Sequence, residues 1–280
     1  MKFLTPLQPK VQSFTPLEKI SNEARGVEES GAKKAQGKPR SLARVVTGLT
    51  TAKTFALDIL FPESCVSCAR EGQSVCSSCE NLLTPIPPTC IVCKKFSPGK
   101  NRDLAGKTCP PCREKTAISH FFSPFSYQSK PVNAIIHSLK YKRVRSLASV
   151  VAEMLGNYLL RFHIFVPAGA VLVPVPLHPR RKRRRGFNQS ELIARDLGAI
   201  LGIPLESLLF RSRPTHPQTS LDYAARRANV ENAFSAHTST KYKLAILVDD
   251  VKTTGATLDE AARALKKAGI KRVWAITFAH

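Results

Sequence analysis

Long apolar runs are missing from this sequence. A membrane-spanning helix needs about 18 or more apolar residues. The longest apolar stretch here, IFVPAGAVLVPVPL, is shorter and contains three prolines. The amino terminus also lacks the basic and then apolar order that marks a secretory signal. We therefore expect a protein without a membrane span that works in the cytoplasm.

Acidic residues are scarce as well. The 280 residues include 43 Lys and Arg but only 20 Asp and Glu, which gives a formal net charge of +23. Such an excess of one sign favours polyanionic partners, such as nucleic acid or metabolites that carry several phosphates. A solvated basic surface is the alternative interpretation. The length suffices for one large domain or two modest ones.

Cysteine is absent outside residues 65–112, and inside that range it occurs only as C-x-x-C pairs. Each pair places two thiolates at one tight turn, so four pairs can fill two closed tetrahedral zinc sites, which are structural rather than catalytic. Disulfides, which a reducing cytoplasm disfavours, and an iron–sulfur cluster are the alternatives. A cross-braced arrangement would use the same eight cysteines as an arrangement paired in chain order. Pairing in chain order gives one site from Cys65, Cys68, Cys76 and Cys79 and another from Cys90, Cys93, Cys109 and Cys112.

Composition divides the chain into three regions. Residues 1–42 mix Lys, Ser, Pro, Gly and Glu without a period, which predicts a disordered basic tail. Residues 43–115 combine a lead-in helix, indicated by helix-like apolar spacing, with the double zinc ribbon. In residues 116–280, strand-like apolar runs alternate with helical ones. That alternation predicts an α/β domain built on a parallel sheet.

Local signals place the elements of this α/β domain. AVLVPVP, LAILV and VWAITF are predicted strands, and FFSPFSY is a candidate for a further one. PVNAIIHSLKY, SLASVVAEMLGNYLLRF, SELIARDLGAIL and LDEAARALKKA have the helical period, and Gly269 is expected to close the last of them. Asn188 and Glu191 predict a capping box, with Phe187 and Leu192 as its hydrophobic staple.

Two adjacent aspartates, Asp249 and Asp250, follow LAILV and precede the sequence TTGAT at the start of a helix. Ligands bind at the carboxyl edge of such sheets. Small loop residues let the backbone approach an anion, and the helix amino terminus favours negative charge, so this loop suits a phosphate. The carboxylates suit sugar hydroxyls and a nearby Mg2+. The pattern therefore indicates ribose 5-phosphate; a simple polar turn is the alternative.

ILVDDVKTTGAT resembles the signature of type I phosphoribosyltransferases, which bind phosphoribosyl pyrophosphate with Mg2+. The wider order is informative too: cysteine knuckles, LVPVPLHPRRKRRRGFNQSELIARDLG, PQTSLDYAARRANVENAF and then the aspartate loop. Over about residues 55–280, this order is similar to the ComF family of competence-associated proteins. The resemblance implies a parallel-sheet type I phosphoribosyltransferase fold preceded by a small zinc-ribbon module.

The resemblance also implies roles for individual residues. Asp249 and Asp250 would act as the catalytic acidic pair by holding the ribose hydroxyls. Lys252 stands where the motif is often apolar, and we expect it to turn toward solvent or the ligand. The 5-phosphate would bind at Thr253, Thr254, Gly255, Ala256 and Thr257, the pyrophosphate at Arg180 and Arg181, and the hood over the site would include Gln218, Arg226 and Arg227.

The activity that the resemblance implies is transfer of the phosphoribosyl group to an acceptor, with pyrophosphate leaving from C1 of the ribose. The resemblance also implies a role in DNA uptake and natural transformation. No motif marks the acceptor pocket. The protein would contribute orientation and charge stabilisation rather than a covalent intermediate.

The alternative function is a non-catalytic module that binds single-stranded DNA or adapts competence proteins, with a regulatory phosphoribosyl site. The run RRKRRR at residues 180–185 could hold a nucleic-acid backbone, and Arg183, Arg184 and Arg185 are placed beyond the pyrophosphate contact. Phe96 is the only aromatic residue between Cys65 and Cys112, which disfavours base stacking there. The zinc module is therefore expected to contact competence-machinery proteins or to brace the fold.

Overall fold

A computed structural model of the protein describes residues 63–97, 105–211, 232–238 and 241–280. These ranges all fall within one compact unit, residues 54–280. The predicted tail, the lead-in helix and the hood residues Gln218, Arg226 and Arg227 lie outside the described residues.

Four parallel strands form the central sheet. The strands of the described residues are β1 (His120–Phe122), β2 (Ala170–Pro174), β3 (Leu209–Arg211), β4 (Phe234–Ala236), β5 (Leu244–Val251) and β6 (Arg272–Ala279). The sheet has the order β1, β6, β5, β2, and β3 pairs separately with β4 in antiparallel fashion. Because the four strands run in one direction, their carboxyl ends meet at a single edge.

Helices cover both faces of this sheet, which confirms the predicted α/β class. They are α1 (Ser77–Glu80), α2 (Lys130–His137), α3 (Leu147–Arg161), α4 (Pro179–Arg185), α5 (Gln189–Leu201) and α6 (Ala256–Lys267), with a 3-10 helix at Pro110–Lys115 and a π-helical turn at Ser138–Lys142. Within the ranges that the structure describes, no helix is both long and apolar enough to cross a membrane.

The side chains of β5 show how the core is divided. Leu244, Ile246 and Val248 pack into the apolar cluster that contains α2, α3 and α5. Ala245 and Leu247 pack into the cluster that contains α6. The alternation is the period of two expected of a strand, and burial on both faces is typical of a parallel sheet.

Two strand boundaries differ from the sequence prediction. The strand predicted in FFSPFSY stops at Phe122, because Pro124 has no N–H to pair, and only a single bridge from Phe125 to Ala279 continues the ladder. Strand β5 was expected to end before the aspartates, yet it continues because Asp249 pairs with Thr277 on β6. The aspartates therefore lie on the rigid end of a strand rather than in the turn.

The start of α5 follows the prediction in part. Asn188 caps the helix, since its Oδ1 accepts a hydrogen bond from the Ser190 N–H at 3.3 Å. Its Nδ2 donates to the Val175 carbonyl at 3.1 Å and so ties α5 to the loop after β2. Glu191 pairs with Lys182 at 3.2 Å instead of completing a capping box.

The cysteine-rich segment packs on both faces of the sheet. A bridge from Lys107 to His120 places the segment antiparallel to β1, at the edge of the sheet. Ile91 belongs to the same apolar cluster as α6. On the other face, the cluster that contains α2 and α3 also includes Cys65, Val75, Cys76, Cys79 and Leu83.

Candidate active site and four-cysteine centres

The two aspartates at the end of β5 have different partners. Asp249 is half-buried, and its Oδ1 accepts hydrogen bonds from the Ser190 hydroxyl at 2.8 Å and from the Asp250 N–H at 2.9 Å. Asp250 is buried, and its Oδ2 lies 2.9 Å from Nζ of Lys140. The predicted acidic pair is therefore held by α5 on one side and by a buried ion pair on the other.

Lys140 is a site residue that the sequence reasoning missed. It lies in the π-helical turn after α2, in a stretch where lysine and arginine are frequent and no motif distinguishes one of them. Burial lowers its pKa, but the charge of Asp250, its hydrogen bond with Asp250 and the charge of Asp249 together outweigh burial, so the pKa of Lys140 is raised. Single π-helical turns often mark functional sites, although a sequence does not reveal one.

Asp249 titrates near neutral pH. Burial is the main cause and the charge of Asp250 the second, and together they raise the pKa of Asp249 to about 7. The hydrogen bond from Ser190 and the charge of Lys140 act in the opposite direction. The ionised pair therefore carries more negative charge than its surroundings offset, and an added cation would favour it.

The basic run RRKRRR forms helix α4 and divides into two faces. Arg181 and Arg185, one turn apart, are half-buried, whereas Arg180 and the residues Lys182, Arg183 and Arg184 are exposed. Arg185 was predicted to lie beyond the ligand contacts, but it is attracted electrostatically to Asp250 and Asp249. It also hydrogen bonds to Gln189 and lies 5.7 Å from the centre of the Tyr141 ring.

Arg211, on β3, is a second cation that the sequence reasoning missed. Burial, followed by the charge of Arg181, lowers its pKa to about 10, while Asp249 attracts it. The guanidinium lies 4.9 Å from the centre of the Phe234 ring. The acidic pair is thus surrounded by positive charge from separate elements, whereas Arg180, predicted to contact pyrophosphate, points outward as an exposed residue.

Residues 253–257, called the Gly255 loop below, link β5 to α6 and include the first two residues of that helix. Gly255 caps the helix with a φ of +86°, a conformation that glycine adopts without strain. The Thr254 hydroxyl accepts a hydrogen bond from the Ala256 N–H at 3.3 Å. Thr253 is exposed, and Thr254, Gly255, Ala256 and Thr257 are half-buried, so the predicted phosphate-binding residues lie together at the start of a 12-residue helix.

Lys252 does not turn toward solvent, so that part of the expectation was wrong. It is only 5% exposed, and a Cβ placed on Gly255 would lie 3.2 Å from its Cε. Its ammonium group lies 5.6 Å from the centre of the Phe121 ring. The long alkyl chain fills the space beneath the loop, as an apolar residue would.

The cysteines form two groups paired in chain order, so the cross-braced alternative is excluded. Within each group, the sulfur atoms all lie within 4.8 Å of one another. Cys68 and Cys76 have sulfurs 3.5 Å apart, and Cys93 and Cys109 have sulfurs 3.6 Å apart. Tetrahedral zinc with Zn–S bonds of about 2.3 Å requires sulfurs about 3.8 Å apart, so both groups could hold zinc. Centre 1 consists of Cys65, Cys68, Cys76 and Cys79, and centre 2 of Cys90, Cys93, Cys109 and Cys112.

The first cysteine of each centre favours the thiolate, which is the form that binds metal. Burial raises the pKa of Cys65, but backbone N–H groups, that of Cys76 foremost, lower it to about 6. Burial likewise raises the pKa of Cys90, and the N–H groups of Cys93 and Cys109 lower it to about 7.

Comparison with known proteins places this geometry in a family. The phosphoribosyl transferase domain family matches residues 185–280, which contain the acidic pair and the Gly255 loop. DNA utilization protein YhgH of Salmonella typhi is 30% identical over 213 residues, which cover 74% of this chain and 92% of that protein. The chain belongs to the ComF family. Competence protein F of Haemophilus influenzae is 29% identical over 228 residues, which cover 76% of this chain and 95% of that protein.

A more distant ComF relative, competence protein ComFC of Bacillus subtilis, is 26% identical over 228 residues, covering 73% of this chain and 89% of that protein. The family resemblance seen in the sequence is therefore confirmed. Lys140 and both cysteine centres precede the residues that match the phosphoribosyl transferase domain. This ComF protein thus supplies part of its candidate site from outside that domain match.

Purified protein should contain two zinc ions per chain, because each centre offers four cysteine sulfurs at metal-binding distances. Elemental analysis by mass spectrometry, normalised to protein concentration, measures this directly. A single metal per chain, or iron in place of zinc, would contradict the assignment.

Asp249→Asn should make the protein more stable at pH 8. A raised folded-state pKa means that the stability contributed by this group is complete below about pH 4 and is lost as the pH rises through about 7. The amide keeps the Oδ1 acceptor for Ser190 and removes the titration. We expect a gain of up to about 4 kcal/mol at pH 8 and almost none at pH 4, measured by denaturant unfolding. Asp196→Asn is the control and should not gain stability at pH 8, because it removes a carboxylate that pairs with Arg195 on α5.

Proposed function

We propose that this protein binds phosphoribosyl pyrophosphate with Mg2+ at the carboxyl edge of its sheet and acts as a phosphoribosyltransferase in the handling of incoming DNA. The observation that carries the proposal is the adjacent pair Asp249, which is half-buried, and Asp250, which is buried, directly beside the Gly255 loop at the start of α6. A ribose 5-phosphate needs this combination of diol acceptors and a phosphate cradle at neighbouring positions.

The residues present fit a divalent cation. Mg2+ prefers carboxylate oxygens and substrate phosphates as ligands, and the acidic pair holds more negative charge than Lys140 alone offsets. The cation would supply charge neutralisation of the pyrophosphate. Binding it near Asp249 would also lower the pKa of that carboxyl from its raised value, because an adjacent positive charge favours the ionised form.

Each element of the site then has a task. Asp249 and Asp250 accept hydrogen bonds from the ribose hydroxyls, and the Gly255 loop receives the 5-phosphate. Lys140, Arg185 and Arg211 supply the positive charge for the pyrophosphate, in place of the Arg180 and Arg181 pair that the sequence suggested. This revised set follows the electrostatic contacts of the acidic pair.

In the reaction, the bond from C1 of the ribose to the pyrophosphate oxygen breaks, its electron pair leaves with pyrophosphate, and the acceptor nucleophile forms the new bond at C1. Positive charge develops on the ribose in the transition state. The nearby carboxylates stabilise that charge, and the cations stabilise the leaving group. The loop and the aspartates lower the activation barrier further, because they orient the ribose for attack.

Contact with single-stranded DNA is a second candidate function. The relatives are named for competence and for DNA utilization. The outward face of α4 carries four exposed cations, Arg180, Lys182, Arg183 and Arg184. Exposed Leu82 and Phe96, in the cysteine-rich segment, offer apolar contacts for a protein of the competence machinery.

Replacing both Asp249 and Asp250 by Asn should weaken binding of phosphoribosyl pyrophosphate with Mg2+ at least ~10-fold, or about 1.4 kcal/mol. The change removes the charge that holds the diol and the cation while it preserves side-chain volume. Calorimetric titration measures the affinity, with Asp196→Asn as the control. Unchanged affinity in the double variant would mean that the aspartates are only a polar strand end. A pyrophosphate-release assay with nucleobases, amines and single-stranded DNA then tests turnover.

Replacing Arg183 and Arg184 by Gln should weaken binding of single-stranded DNA and leave the affinity for phosphoribosyl pyrophosphate unchanged. The slope of log affinity against log salt should fall by about 0.7 for each DNA phosphate that the variant no longer neutralises. Lys266→Gln with Lys267→Gln, which removes two exposed cations from the far end of α6, is the matched control. If the variant binds DNA as tightly as the parent protein at every salt concentration, α4 is only a solvated basic surface.

A further inference from the structure

A buried lysine without an acidic partner lies beneath the Gly255 loop. Lys252 is 5% exposed, and none of the ion pairs among the described residues includes it. A buried ammonium group is unfavourable unless negative charge compensates it. The Phe121 ring, at 5.6 Å, compensates in part through its π face.

Lys252 lies over the Phe121 ring, which packs in the same apolar cluster as Ile91, the residue that follows Cys90 of centre 2. Cys90 attracts Lys252, and Lys94, whose N–H donates to the Cys90 carbonyl at 2.9 Å, repels it. Burial foremost, and Lys94 second, lower the pKa of Lys252 to about 8. A zinc ion with four thiolates carries a net charge of −2, which would supply the missing counter-charge to this side of the loop.

The segment that follows centre 2 contacts the first turn of α6. Oδ1 of Asp259 accepts hydrogen bonds from the Thr116 hydroxyl at 2.8 Å and from the Ala117 N–H at 2.7 Å. These donors follow the last ligand of centre 2, Cys112, by four and five residues. Ile91, next to Cys90, packs in the same apolar cluster as α6.

Centre 1 lies in different surroundings. Its buried cysteines, Cys65, Cys76 and Cys79, pack in the cluster on the opposite face of the sheet, with α2 and α3. Ser74, between its two pairs, contacts the Ser146 hydroxyl at 3.2 Å, just before α3. The two centres therefore support different parts of the fold, and centre 1 serves as an internal comparison.

We propose that centre 2, when it holds zinc, provides the counter-charge of Lys252, and that this pairing positions the Gly255 loop for phosphate. Lys252 is then a positioning residue, which acts on the ligand through the loop. The statement about phosphate rests on the proposed function, whereas the pairing of Lys252 with the zinc centre does not.

The test uses full-length variants and two independent readouts. Lys252→Met keeps most of the alkyl length and removes the charge, and Lys243→Met, at an exposed position just before β5, is its control. Cys93→Ser removes an exposed ligand of centre 2, and Cys68→Ser removes the equivalent exposed ligand of centre 1. Each is the second cysteine of the first pair in its centre. The readouts are zinc release to a chromogenic chelator and the affinity for ribose 5-phosphate by calorimetry.

We expect Lys252→Met to release one of its two zinc ions about tenfold faster than the parent, since removal of a supporting side chain typically costs a metal site about 10-fold or more. Ribose 5-phosphate should bind about tenfold more weakly to Lys252→Met and to Cys93→Ser, but only about twofold more weakly to Cys68→Ser. Lys243→Met should match the parent in both readouts.

Two results would overturn the inference: zinc release from Lys252→Met at the rate of the parent, or an equal loss of affinity in the two cysteine variants. If the parent itself fails to bind either ribose 5-phosphate or phosphoribosyl pyrophosphate, the proposed function is wrong. In that case zinc release alone decides the pairing of Lys252 with centre 2.

Discussion

Two carboxylates side by side at the end of one buried strand impose the constraint on which the candidate site depends. In a region of low dielectric, adjacent negative charges repel strongly, and the raised pKa of Asp249 records that repulsion together with its burial. The fold offsets the charge with cations from separate elements: Lys140 from the π-helical turn, Arg185 from α4 and Arg211 from β3. A site that combines two carboxylates with these cations suits a ligand that brings hydroxyl donors, phosphate groups and a divalent cation.

The sequence predicted the elements whose signals are local. The apolar runs of β2, β5 and β6 and the helices α2, α3, α5 and α6 were found from their periods. Helix α4 was not predicted, and α6 begins at Ala256, two residues before the predicted start. The chain-order pairing of the cysteines was one of two predicted arrangements, and proximity along the chain decides it. The end of β5 was misplaced, because its last residues are held by pairing with β6, which is a contact between distant parts of the chain.

The roles of residues that depend on tertiary contacts were not predicted from the sequence. Lys140 is one of many basic residues in the sequence, and only the π-helical turn brings it to Asp250. In RRKRRR, helical geometry selects Arg185 to face the acidic pair, which an unbroken run of cations cannot show. Lys252 was expected to turn toward solvent or the ligand, yet it is buried, and the space beneath Gly255 accommodates its alkyl chain.

The cysteine-rich segment packs against the sheet that carries the candidate site. It packs on both faces of the sheet, so metal binding and the stability of the α/β core are coupled. A structural centre at the β1 edge can then influence a loop at the end of β5 without touching the ligand. In this chain, residues that support the candidate site therefore lie outside the matched transferase domain.

A crystal structure of the protein with phosphoribosyl pyrophosphate and Mg2+ would show directly whether the acidic pair and the Gly255 loop hold this ligand. The account predicts the ribose hydroxyls on Asp249 and Asp250, the 5-phosphate against the Gly255 loop, and the pyrophosphate facing Arg185 and Lys140. A ligand bound elsewhere on the protein, or a 5-phosphate held away from the Gly255 loop, would contradict it.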